Sequence, residues 1–194
     1  MIAIKRRAQC KSRLAEVLAP AQRLQLVRSM LDTVIAAARN ARMVRQILIV
    51  SPERDRICAD IPVLADTGGG LNGSLSAAHL TLQEFGCQEV VVLPADLPLV
   101  TAEDIDELVR SGRSGGFAIA PDAAGVGTNA LYIRSPHPFW FRFGPESRRL
   151  HLEQALNMGL IPQVLQCPGL EFDVDSPDDV RNLQESVWRT RLQA

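Results

Sequence analysis

Four residues, Val90-Val91-Val92-Leu93, form an unbroken apolar run, and a carboxylate follows three positions later at Asp96. A strand with one face in water alternates apolar and polar side chains. A strand without that alternation is covered on both faces and belongs at the centre of a sheet flanked by helices. Pro94 has no N–H to give to a ladder, so regular pairing is expected to end there. Asp96 then falls just beyond the carboxyl end of a central strand, which is the edge where open α/β sheets bind ligands. Held between Pro94 and Pro98, its carboxylate suits a hard cation such as Mg2+, which takes oxygen ligands. Capping the next helix is the alternative use of the same side chain.

The rest of the chain repeats the alternation. Short apolar segments at 2–4, 46–50, 61–64, 117–120, 129–134 and 161–166 read as strands. Between them lie helical patterns: Ala21 to Ala41, Ser74 to Gly86, Thr101 through Val109, the stretch over Leu150, Leu152, Ala155 and Leu156, and one more after Ser176. Thr101 with Asp104, and Ser176 with Asp179, have the form of capping boxes. This order predicts an α/β domain with a mixed, mostly parallel sheet and helices on both faces. Antiparallel pairing is expected where the chain doubles back between Gly115 and Arg134. No repeat or linker divides residues 1–194, so a single domain is expected.

Composition narrows the function. A formal net charge of -1 gives no electrostatic case for nucleic acid or an anionic membrane. No apolar run approaches the roughly 18 residues of a membrane span, and Met1 to Arg7 lacks a signal-peptide core. Cys10, Cys58, Cys87 and Cys167 are far apart, which argues against a zinc site or a disulfide framework and predicts reduced thiols in the cytoplasm. His79, His137 and His151 lack metal-ligand spacing and are expected to be structural or surface residues.

Five segments carry chemistry. The run Lys5 to Leu14 holds five cations, Lys5, Arg6, Arg7, Lys11 and Arg13. It directly follows the first strand, where a basic loop suits nucleotide phosphates; a solvated face is the plainer reading. Gly68-Gly69-Gly70 sacrifices backbone entropy and favours close approach to a ligand, although a glycine turn before a helix is also common. Thr128 enters a strand as a candidate donor to an acid group. Gly144-Pro145-Glu146-Ser147 opens a helix whose N-terminus suits an anion. Asp173 and Asp175, two apart in an extended segment, share a face; their repulsion is naturally relieved by a cation. Together these suit nucleotidyl transfer better than hydrolysis. The chain has no Gly-x-Ser-x-Gly elbow, no Walker A or dinucleotide fingerprint, and no reactive cysteine environment.

These residues also carry a resemblance. Ile4-Lys5-Arg6 with Lys11-Ser12-Arg13-Leu14, Gly69-Gly70-Leu71-Asn72, Leu93-Pro94-Ala95-Asp96-Leu97-Pro98, Gly127-Thr128-Asn129-Ala130-Leu131, Phe141-Arg142-Phe143-Gly144-Pro145 with Ser147, and Asp173-Val174-Asp175-Ser176-Pro177 resemble the phospholactate guanylyltransferase family of coenzyme F-420 biosynthesis. The resemblance spans almost the whole chain in the right order. It implies a single-domain, three-layer α/β/α nucleotide-diphospho-sugar transferase (GT-A-like) fold. It also implies transfer of GMP from GTP to the phosphate of 2-phospho-L-lactate, phosphoenolpyruvate or 3-phosphoglycerate, with release of pyrophosphate. By the same resemblance Asp96, Asp173 and Asp175 would hold Mg2+, while Thr128, Gly144 and Ser147 would bind the acid's carboxylate. Lys5, Lys11 and Arg13 would lie on the GTP phosphates, with Lys11 and Arg13 joining Asp96 in catalysis. The Gly69-Gly70-Leu71-Asn72 loop would lie near guanosine.

One departure is visible: the family pattern has a basic residue after the Asp of a Pro-Asp turn, whereas Asp122 is followed here by Ala123 and Ala124. The acid, and the strictness of GTP over ATP, are left open. So are a homodimer and a hand-off of the labile product to the next biosynthetic enzyme, since no residue marks either surface. Two alternatives stand beside this reading. One is a molybdenum-cofactor or sugar-phosphate nucleotidyltransferase of the same fold, which usually opens with a glycine-rich, arginine-containing loop unlike Lys5 to Arg13. The other is a GTP-binding module without catalysis.

Overall fold

A computed structural model describes residues 1–4, 11–51, 60–65 and 69–193, with the side chains of Ser12, Ala65 and 186–193 left aside. Lys5, Arg6, Arg7 and Cys10 of the basic run, with Cys58 and Gly68, lie outside the described residues. Seven strands form one sheet: β1 (Ile2–Ala3), β2 (Ile49–Ser51), β3 (Val63–Ala65), β4 (Glu89–Pro94), β5 (Gly116–Ala120), β6 (Ala130–Arg134) and β7 (Ile161–Val164), in spatial order β3-β2-β1-β4-β6-β5-β7. β6 runs antiparallel to β4 and β5; every other pairing is parallel. The expected mixed sheet is therefore observed, with its antiparallel strand in the segment that doubles back.

Successive strand residues point to opposite faces, and the two faces have separate cores. On one, Ile2, Ile49, Leu93, Ala118, Ala120 and Tyr132 pack against α1 (Pro20–Asn40) and α3 (Ala102–Gly112) through Leu31, Val34, Ala38, Ile105 and Leu108. On the other, Ala3, Val50, Val92, Phe117, Ile119, Leu131 and Ile133 meet α2 (Gly70–Glu84), α4 (Ser147–Asn157) and the aromatic segment through Leu75, Ala78, Ala155, Phe139 and Phe141. The chain is thus a three-layer α/β/α domain. The short α5 (Pro168–Glu171) and terminal α6 (Pro177–Gln193) complete it.

Several local expectations meet their physical causes. Thr101 caps α3 reciprocally with Asp104: Asp104 N–H donates to Thr101 Oγ1 (3.2 Å) and Thr101 N–H to Asp104 Oδ2 (2.8 Å). Ser176 and Asp179 do the same at α6. Other expectations need correction. α2 begins at Gly70, not Ser74. The Ser74 hydroxyl donates to the Gly70 carbonyl (2.8 Å) within the helix, a back-bond that a small polar residue can make without ending a helix. The segment 129–134, whose sequence alternates like a half-exposed strand, is instead buried at four successive residues of β6, Ala130 through Ile133, because helices cover both faces. α4 turns Leu156 out to solvent (62% exposed) and buries His151 instead. His79 and His151 are both core residues.

The extended segment 135–143 is pinned along α2. Phe143 N–H donates to Asn72 Oδ1, Phe141 N–H to Ser76 Oγ and Phe139 N–H to His79 Nδ1. Gln83 Nε2 donates to the carbonyls of Ser135 and His137. The four helix positions recur at helical spacing and the segment's partners at every second residue, so one helix face satisfies an unpaired strand-like backbone. Phe139 and Phe141 turn inward and Trp140 outward.

Candidate active site

The chain leaves β1 outward through β2 and β3, then returns to place β4 on the other side of β1. That reversal leaves a crevice beyond the carboxyl ends of β1 and β4, where ligands bind in open α/β sheets. A cavity of about 360 Å³ lies there, with Ala3 and Ile4 at the end of β1 and Pro94, Ala95 and Asp96 at the end of β4 in its wall. It is also lined by Lys11, Arg13, Leu71, Asp122, Gly127, Thr128, Asn129, Phe143, Gly144, Ser147, Asp173 and Asp175, over the apolar side chains of Val27 and Met30.

A small third core explains how distant segments converge. Leu14, Met30, Val174 and Val180 pack together, Leu14 and Val174 with no exposed surface. Burying Val174 turns its neighbours Asp173 and Asp175 the other way, toward the cavity. Burying Leu14 anchors the 3-10 turn Ser12–Glu16 and with it Lys11. Lys11 adopts a left-handed backbone, φ 57°, a conformation that costs energy for a residue with a Cβ and clusters at functional sites. Its ammonium donates to Asp96 Oδ2 and Asp175 Oδ1, each at 2.6 Å. The lysine side chain is nearly buried. Burial alone would lower its pKa, but the Asp96 and Asp175 carboxylates outweigh that and raise it, so the ammonium is charged. Asp173 is shifted upward by burial and by the Asp96 charge, against a hydrogen bond from Asn129 Nδ2 (3.3 Å).

Asp96, Asp173 and Asp175 offer carboxylate oxygens within 4.8 Å of one another. An all-oxygen donor set of this spacing fits a hard divalent cation, and the Lys11 ammonium shares the same space as counter-charge.

Another part of the lining is polar and small. Thr128 and Ser147 are buried there (7% and 1% exposed). Gly144, at φ 129°, takes a backbone conformation that favours glycine, and Glu146 at the head of α4 is left-handed, φ 56°. Thr128 Oγ1 lies 3.1 Å from His151 Nδ1, and Arg142 N–H donates to His151 Nε2 at 2.9 Å. From sequence alone His151 has no part in the site and is expected to be a structural or surface residue. The signal for it was the spacing of Ser147, His151 and Ala155, which share one helix face and are all buried.

The structure thus brings Lys11, Arg13, Asp96, Thr128, Gly144, Ser147, Asp173 and Asp175 to one cavity. Leu71 joins them, whereas Asn72 commits its amide to the Phe143 backbone: Oδ1 accepts from N–H (2.8 Å) and Nδ2 donates to the carbonyl (2.9 Å). Gly69 and Gly70 are exposed at the start of α2. Ala123 and Ala124 are exposed; the guanidinium that reaches this loop comes instead from α4, Arg148 Nη1 donating to the Gly125 carbonyl (2.9 Å). Cys87 and Cys167 are free thiols. Among the described residues no helix is long and apolar enough to cross a membrane.

The fold is that of the nucleotide-diphospho-sugar transferase class. A putative nucleotide-diphospho-sugar transferase from Desulfovibrio desulfuricans G20 superposes with a TM-score of 0.74 at 18% identity, over 94% of this chain and 84% of that one. A 4-diphosphocytidyl-2C-methyl-D-erythritol synthase superposes at 0.63 and 14%, over 94% and 96%. The particular family follows from sequence: residues 1–185 match the family described as "Guanylyl transferase CofC like", and the chain belongs to it. It is 40% identical over 189 residues to a phosphoenolpyruvate guanylyltransferase of Chloroflexus aggregans, covering 93% of each chain. To the phosphoenolpyruvate guanylyltransferase of Rubrobacter xylanophilus it is 37% identical over 191 residues, covering 96% of this chain and 93% of the relative.

Proposed function

We propose that this guanylyltransferase moves GMP from GTP to the phosphate of a small phospho-acid in coenzyme F-420 biosynthesis, with phosphoenolpyruvate as the first acid to test, ahead of 2-phospho-L-lactate and 3-phosphoglycerate. An oxygen of the acid's phosphate bonds to the α-phosphorus of GTP, the bond from that phosphorus to the bridging oxygen breaks, and pyrophosphate leaves. The observation that carries this reading is one cavity with two unlike sets of groups. Lys11 and three carboxylates line the same cavity as Thr128, Gly144 and Ser147.

The attacking phosphate has a second pKa of about 6 and is already mostly dianionic near pH 7, so no strong general base is needed. The barrier lies in bringing two anions together and in charge gathering on the departing pyrophosphate. Lys11 and Arg13 line the cavity and supply fixed positive charge against both. Asp96, Asp173 and Asp175 would hold Mg2+, which when bound neutralises triphosphate charge. Thr128 and Ser147 hydroxyls and the backbone at Gly144 receive the acid's carboxylate, and the Leu71 end of the cavity receives the nucleoside.

The test is pyrophosphate release with GTP, Mg2+ and each of the three acids in parallel, with ATP as control nucleotide. Release with GTP and phosphoenolpyruvate, abolished in Asp96→Asn while the circular dichroism spectrum is unchanged, is the expected result. Release with none of the acids, from folded protein that still binds GTP, overturns the reading.

A further inference from the structure

His151 is fully buried on α4 and ties together the strand entry at Thr128, the 142–144 backbone and its own helix. Its Nε2 accepts from Arg142 N–H, and its Nδ1 lies against Thr128 Oγ1. A backbone N–H can only donate, so Nε2 carries the lone pair. In a neutral imidazole the other nitrogen then carries the proton. Burial and the nearby Arg142 charge hold the ring neutral, its pKa lowered to about 4. Nδ1–H therefore donates to Thr128 Oγ1, and that oxygen's own proton is left to give away. Among the described residues no acceptor takes it, and Thr128 lines the cavity. A threonine hydroxyl is ordinarily both donor and acceptor. Here the ring takes one of the oxygen's two lone pairs and leaves its proton for the cavity.

The same ring fixes the other half of the wall. By holding Arg142 N–H it sets the backbone entering Phe143 and Gly144, and by its place on α4 it lies one turn from Ser147, with the Phe143 ring edge-on at 5.0 Å. We propose that His151 is the positioning residue of the acid subsite: it commits the Thr128 hydroxyl to donating into the cavity and locks the 142–144 backbone beside it, so that this wall prefers a carboxylate to a neutral group. This rests on the reading that Thr128 receives the phospho-acid.

Two isosteric variants separate the two bonds. In His151→Asn the amide nitrogen can stand where Nδ1 stands and still donate to Thr128. In His151→Gln the amide oxygen can stand where Nε2 stands and still accept from Arg142. The expected result is that His151→Gln raises KM for the acid roughly 10- to 100-fold, the loss of one hydrogen bond to a charged group, while KM for GTP and kcat stay within about threefold of wild type, inside the scatter of such hydrogen-bond effects. His151→Asn should give a smaller rise. In a Thr128→Val background His151→Gln should add no further rise in acid KM. Equal effects of the two variants, or multiplying effects in the double variant, overturn the proposal and leave His151 a packing residue. The tautomer is read independently of any substrate by long-range proton–nitrogen NMR of histidine-labelled protein at pH 7. A protonated Nδ1 and bare Nε2 on His151 support the proposal, and the opposite tautomer overturns it. Wild-type protein that turns over none of the three acids removes the functional reading, and the acid-binding role with it, while the NMR result still decides the tautomer.

Discussion

Lys11 sits where three carboxylates would otherwise repel one another, so its removal should be felt in two ways. Lys11→Met keeps the aliphatic stem and deletes the ammonium that bonds Asp96 and Asp175 at 2.6 Å. Pyrophosphate release should fall about a hundredfold or more, as when a preorganised charge is removed from a transition state. The thermal shift produced by Mg2+ alone should grow, because the carboxylates have lost their internal counter-charge. A Mg2+ shift unchanged from wild type would mean that the ammonium and the cation do not share that space. The carboxylates themselves were legible in the sequence, since a strand end and an i, i+2 pair are local signals. The lysine's contact with Asp96 spans 85 residues, and nothing local announces it. His151 yields a second prediction at this scale. Its folded pKa is about 4 against an ordinary 6.5, so the unfolded chain binds more protons between those values. Stability is full above about pH 6.5 and falls as pH drops toward 4, by at most about 3 kcal/mol. His79, buried and shifted the same way, adds to the slope. Urea midpoints at pH 7 and pH 4.5 should differ more for wild type than for His151→Asn; equal differences would remove the assignment.

At the scale of elements, periodicity located most helices and strands, and its errors have identifiable causes. Boundaries moved where a side chain's hydrogen bond could serve two structures, as with Ser74 inside α2. On α4 apolarity finds the buried Ala155 but misses Ser147 and His151, polar residues on the same inward face, His151 having its partners in Thr128 Oγ1 and Arg142 N–H. Local pattern also does not reveal how closely elements approach. Gly112 ends α3 against the sheet, where an added Cβ would collide with the Tyr132 ring and lie 2.9 Å from Ala118 Cβ and 3.0 Å from the Ala118 backbone nitrogen. Gly→Ala in a helix gains about 1 kcal/mol in propensity, and overpacking a core costs about 1–3 kcal/mol. A strand backbone cannot yield as a flexible side chain can, so the second effect wins. Gly112→Ala should destabilise by up to about 2 kcal/mol, measurable as a lowered urea midpoint with an unchanged slope; a raised midpoint would show that α3 can move off the sheet without cost.

The whole molecule can be read as two half-sheets meeting at one crevice. β3-β2-β1 with α1 supplies Lys11 and the apolar side chains of Val27 and Met30; β4-β6-β5 with α4 supplies Asp96, Thr128 and Ser147. Alternation in the sequence was enough to predict the layers, the sense of most strands and the ligand edge, because each follows from local pattern and chain sense. The order in which strands lie side by side is a property of crossovers, and it is what makes β1 and β4 neighbours. A ligand that bridges both halves ties together parts of the chain that otherwise share the sheet's hydrogen bonds and cores. GTP with Mg2+ at a hundred times its dissociation constant should then stabilise by about 2.7 kcal/mol, which for a chain of this size is roughly 5–11 °C in Tm. On the proposed reading the phospho-acid alone would meet only Thr128, Gly144 and Ser147, and it should shift Tm less when each ligand is supplied at the same concentration. Asp96→Asn should remove most of the difference between GTP with and without Mg2+, since the three carboxylates proposed to hold Mg2+ would no longer act together. A full GTP shift that is indifferent to both Mg2+ and Asp96 would place the nucleotide elsewhere than this crevice.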